Sequence, residues 1–107
     1  MSEKSQLFRF DREPRILIIG QDGEVLDLVV DEVRRAGIEV RGITAAEADG
    51  ALTGRFDLIA FGGAISREQR KSLEQEARFH NPAVRFIRVY APHAASQLLA
   101  AARYEDV

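Results

Sequence analysis

The chain reads as a single three-layer α/β domain, a parallel sheet with helices on both faces. Three observations predict this. Short aliphatic runs alternate four times with helical patterns, the connections between them are short, and the runs lack the in–out alternation of half-exposed strands. A length of 107 residues suits one domain with one core.

The elements follow in order. Residues 1–14 are a polar tail apart from Leu7, Phe8 and Phe10, and Leu7–Phe10 could add to a sheet edge; the domain proper is 15–107. Pro14 holds the preceding residue extended and leads into a strand. Ile16–Ile19 is continuously aliphatic, as a strand buried on both faces should be. Glu24–Ala36 has helical periodicity and stops at Gly37, a C-cap signal. Glu39–Ile43 is the second strand. Thr44-Ala-Ala-Glu47 matches a capping box that opens a helix running to about Leu52. Leu58–Phe61 is the third strand. Ser66-Arg-Glu-Gln69 is a second capping box, for a helix ending near His80 before Asn81-Pro82. Val84–Val89 is the fourth strand, and His93–Arg103 the last helix, with Pro92 near its first turn.

Composition excludes several functions. With 46% hydrophobic and 30% charged residues the chain is an ordinary soluble globular one. A net charge of −2, with the arginines scattered among acids, leaves no basic face for nucleic acid. The absence of cysteine removes disulfides, thiolate metal sites and thiol nucleophiles, and His80 and His93 are too few for a multi-histidine zinc site. No signal-peptide core or membrane-length apolar run is present, so the expected location is the cytoplasm.

The spacing and hydrophobic pattern of Arg15–Arg103, closest at Arg15–Ile19 and Asp57–Phe61, resemble the receiver domain of bacterial response regulators, which has a flavodoxin-like fold. The resemblance implies the sheet order 2-1-3-4, without a receiver's fifth strand. It also implies a degenerate site. The magnesium-binding acids fall at Gly20 and Gln21, the phosphorylated aspartate at Gly62, and the Ser/Thr near Tyr90 or Ala91. The lysine has no counterpart after Lys71. Aspartyl phosphorylation needs a carboxylate nucleophile and a metal, and neither is supplied.

A weaker similarity is to the first turn of dinucleotide-binding folds. Gly20-Gln-Asp-Gly23 lies between a strand and a helix, where glycines let backbone amides approach a pyrophosphate. The third glycine of that fingerprint is replaced by Leu26, Asp22 is charged against it, and no acid ends the second strand. Arg41, Gly42 and Ile43 stand there instead, and Arg41 alone could suit a 2′-phosphate.

Candidate ligand-binding residues are therefore Gly20, Gln21, Asp22, Gly23, Gly62, Gly63, Ala64 and His93. Asp22 has a simpler reading as a helix N-cap, and the glycines as tight turns. His93 is the one acid–base group expected at the ligand-facing end, and an enzyme would have to rest on it and Asp22. In the first helix Val25, Leu26, Leu28, Val29, Val30 and Val33 span an arc of roughly 200°, against the ≳ 100° of a one-sided surface helix. Val25, Leu26, Val29, Val30 and Val33 are thus the candidate interface of a homodimer, unless the last helix or the tail covers them. Arg85 and Arg88 suit an edge strand that resists uncontrolled pairing.

The leading expectation is a non-catalytic, receiver-like interaction module, homodimeric, with no cofactor, metal, nucleic acid or membrane partner. The alternative is a domain binding a nucleotide or dinucleotide at the Gly20–Gly23 and Gly62–Ala64 turns.

Overall fold

In the computed structural model, which describes residues 15–48, 52, 54, 56–90 and 93–104 (backbone only at 95, 99 and 102–104), the four aliphatic runs become four parallel strands. The elements are β1 (Ile16–Gly20), α1 (Gly23–Arg35), β2 (Val40–Thr44), α2 (Ala45–Ala48), β3 (Leu58–Gly62), α3 (Arg67–His80), β4 (Arg85–Val89) and α4 (Ala94–Tyr104). The sheet order is β2-β1-β3-β4, as expected for a flavodoxin-like domain. The tail with its Leu7–Phe10 segment, residues 49–51 of the second helix, and Pro92 lie outside the described residues.

Successive residues of a strand point to opposite faces, so β1 supplies two cores. Ile16 and Ile18 pack under α1 and α4, with Leu26, Val30, Val33 and Leu98. Leu17 and Ile19 pack against the other layer, with Ala45, Leu73, Ala77 and Phe61. The helices start where side chains can accept from their unpaired first amides. Asp22 Oδ1 accepts from the N–H groups of Glu24 and Val25 at 2.8 and 3.3 Å. Ser66 Oγ accepts from Gln69 N–H at 3.1 Å. At α2 the capping box closes: Thr44 N–H donates to Glu47 Oε1 at 2.9 Å and Glu47 N–H to Thr44 Oγ1 at 3.3 Å. The bond from the Thr44 amide, with that from its hydroxyl, holds the Glu47 carboxyl below its ordinary range. Helix α1 ends at Gly37, whose φ of +91° a side chain would resist.

The lower edge of the sheet is tied by Asp57. Its carboxylate accepts from Arg15 N–H at 2.8 Å, its own N–H donates to Arg15 O at 2.8 Å, and its carbonyl accepts from Arg85 N–H at 3.0 Å. One residue thus sets the starting level of β1, β3 and β4, and Ile16, Leu58 and Arg85 share a row.

The last helix, α4, covers part of the apolar arc of α1, and its Ala94 and Leu98 join the same core. Of the interface candidates read from the helical arc, three are taken up by this core. Leu26, Val30 and Val33 lie within roughly 60° of one another on α1 and are buried in the protein's own core. Val25 is 43% exposed and Val29 half-buried, while Leu28, outside the assigned set, is 71% exposed.

Candidate functional site

The order β2-β1-β3-β4 makes β1 and β3 neighbours whose following connections leave on opposite faces, the switch point at which open α/β sheets bind ligands. Their two glycine turns therefore meet. Gly20 and Gly62 to Ala64 share a groove of about 350 Å³ at the carboxyl ends of the strands. Val25 and Val29 of α1 form one wall, and Tyr90 and Ala94 the other. Gln21 and Asp22 lie on its rim side. Gly23 and His93 are not among its lining residues, and both are exposed.

The walls have local causes. Tyr90 lies against Gly63 so closely that a Cβ there would fall 2.5 Å from the ring. Arg88 sits over the other part of that contact, its guanidinium 5.9 Å from the ring centroid and donating to the carbonyls of Gly63 and Ile65 at 3.5 Å. Tyr90 N–H donates to Gln97 Oε1 at 2.8 Å, which joins the end of β4 to α4. Arg88, read from sequence only as an edge-strand charge, and Gln97 were not identified with the site, because their contacts depend on how β4 packs beside β3 and α4. By contrast, a Cβ at Gly62 would meet only Ile19 O and Gly20 Cα at ordinary separations of 3.5 and 3.6 Å. Alanine would fit there, so packing does not demand that glycine.

The chemistry of the groove is mostly that of carbon. Its backbone donors nearest α1 are engaged, since Asp22 occupies the amides that would otherwise face an anion, and Glu24 adds a second acid in the first turn. A helix N-terminus so occupied repels phosphate rather than binding it. His93 instead begins α4: its N–H donates to Tyr90 O at 2.7 Å and its carbonyl accepts from Gln97 N–H at 3.0 Å. Among the described residues no group of three or more His, Asp or Glu side chains is placed to hold a metal ion. No helix among them is long and apolar enough to cross a membrane.

The fold and site together define a small parallel α/β domain with an apolar groove at its switch point. No protein-family model and no curated protein matches the chain.

Proposed function

We propose that this chain is a non-catalytic, receiver-like interaction module that pairs with a second copy of itself through the outer flank of α1. The observation that carries this reading is Leu28, 71% exposed beside Val25 on a helix otherwise studded with charge. An exposed leucine by itself means little, but this one is continuous with the groove wall and is flanked by charges of opposite sign. Glu24 precedes it and Arg35 follows it on the same stripe. In an antiparallel α1–α1′ pair about a twofold axis that sets each Glu24 level with the other copy's Arg35, the two Leu28 side chains flank the axis about 4.5 Å apart along the helix. The present partner of Arg35 is Asp31, an exposed i,i+4 pair, and such pairs exchange cheaply. Gly62, where a receiver carries its phosphoacceptor, has no side chain to phosphorylate.

The test is sedimentation velocity on the full chain at micromolar concentration. Wild type is expected to be a dimer and Leu28→Glu a monomer with unchanged far-UV circular dichroism. A monomeric wild type, or a dimeric Leu28→Glu protein, would sink the proposal.

The groove favours one second reading, a small ligand, since 350 Å³ lies within the usual range of roughly 300–1,000 Å³ for ligand sites. The cap at Asp22 tells against a nucleotide or dinucleotide. A thermal-shift panel of these compounds is therefore expected to stay flat. A bound ligand at a hundred times its dissociation constant would add about 2.7 kcal/mol and raise the melting temperature by on the order of 10 °C or more. A rise of that size would put the ligand reading first.

A further inference from the structure

We infer that the groove at the switch point binds a small organic amine in its ammonium form, a cation carried on an aromatic or branched hydrocarbon body. The inference rests on the ligand reading of that groove and names the class of ligand. Strand alternation explains why the groove exists. Ile16 and Ile18 of β1, and Leu58 and Ala60 of β3, point into the core under α1 and α4. The next positions on that face are Gly20 and Gly62, the last residues of their strands. Neither carries a side chain, so the space between α1 and α4 stays open above them. A Cβ added at Gly62 would come within 4 Å only of Ile19 O and Gly20 Cα, both atoms of residues that line the groove.

The walls are hydrocarbon. Val25 and Tyr90 stand on opposite sides, 43% and 49% exposed, two of the large apolar side chains that solvent reaches among the described residues. Apolar surface that is concave and carries polar groups at its rim has the form of a binding site rather than of incidental exposure. The volume of about 350 Å³ is near the lower end of the roughly 300–1,000 Å³ of ligand sites, which suits a free small molecule and not a peptide.

Charge selects the class. Among the described residues Asp22 is the one charged side chain that lines the groove. The helix cap uses its Oδ1 alone, for the amides of Glu24 and Val25, which leaves Oδ2 to accept from a ligand. Arg88, the cation against the Tyr90 ring, does not line the groove. Its guanidinium donates to the carbonyls of Gly63 and Ile65, and Ile65 belongs to the core on the other face of the sheet. An anion would therefore meet a carboxylate with no cation to offset it, and a neutral ligand would leave that carboxylate unused. An ammonium pairs with Asp22 while its body covers the apolar walls.

Three compounds of similar shape separate charge from fit: phenethylamine, phenethyl alcohol and hydrocinnamate, each titrated at neutral pH into the full chain with amide chemical shifts followed by NMR. Phenethylamine is expected to move the signals of Gly20, Gly62, Gly63 and Ala94. It should bind roughly fivefold more tightly than the alcohol, as an exposed ion pair allows, with hydrocinnamate the weakest of the three. Asp22→Asn keeps a side chain able to cap α1 and removes the charge. That variant should erase the advantage of the amine and leave binding of the alcohol unchanged. No shift at these amides with any of the three compounds would overturn both the inference and the ligand reading beneath it. Alcohol or hydrocinnamate binding as tightly as the amine, or an amine preference that survives in Asp22→Asn, would overturn the inference and leave the ligand reading standing.

Discussion

Replacing Val30 with glutamate should unfold the domain, whereas the same change two residues earlier, at Leu28, should leave it folded. Val30 is 8% exposed, packed with Leu26 and Val33 over β1 and β2. It lies so near Gly42 that a Cβ added to that glycine would sit 2.6 Å from Val30 Cγ2. The sheet and α1 meet there with no space for water or a counter-charge. A carboxylate buried without a partner costs about 3–5 kcal/mol, against a total stability of roughly 5–15 kcal/mol for a domain. The expected result in a thermal melt followed by circular dichroism is a loss of the cooperative transition, or a midpoint lowered by on the order of 20 °C. Leu28→Glu should shift the midpoint of the monomer by no more than a few degrees. If both variants melt like wild type, α1 is not seated as described.

The second large effect is expected at Phe61. Its side chain is 1% exposed in the layer under α3, with Ile65, Leu73 and Ala77, and its ring centroid is 5.9 Å from that of Phe86. Phe61→Ala removes a ring from a site closed by two strands and a helix, where collapse is limited. Such truncations cost about 3–5 kcal/mol, the lost transfer energy plus the cavity. A denaturant titration should show the midpoint fall with little change in slope, because the surface exposed on unfolding is nearly the same. A cost below about 1 kcal/mol would mean that the layer is loosely packed. Phe61 immediately precedes Gly62, so this variant also reports whether the floor of the groove depends on the core beneath it.

Much of the fold was legible because its signals are local. The Asp22 cap, the Thr44–Glu47 box and the Ser66 cap need only a few residues to be recognised, and their bonds form as the spacing implies. Strand boundaries shifted by a residue: Glu39–Ile43 became Val40–Thr44, and Gly62 joined β3. Such ends depend on pairing with neighbours that periodicity does not name.

The candidate site was legible in part. The two glycine turns, both named as candidate ligand-binding segments, share the groove with Ala64; His93 and Gly23, named with them, do not line it. The helical arc of α1 showed how much apolar surface the helix carries but not where that surface goes. Its division between core and outside depends on α4, which arrives from far along the chain and joins Leu26, Val30 and Val33. Asp57 carries no local signal of its role in the sequence. Its bonds across three strands became visible only with their register.

By itself, then, the amino-acid sequence determined the element order, the caps, the aliphatic strands and a site without an acid, base or nucleophile at Gly20 and Gly62. The tertiary structure alone decided which residues of α1 are buried, that Tyr90, with Arg88 against its ring, walls the groove, and that Asp57 levels the sheet. The physical reason is range. Capping and periodicity act within a turn or two of chain, whereas burial and shared hydrogen bonds depend on segments that only the packed sheet brings together.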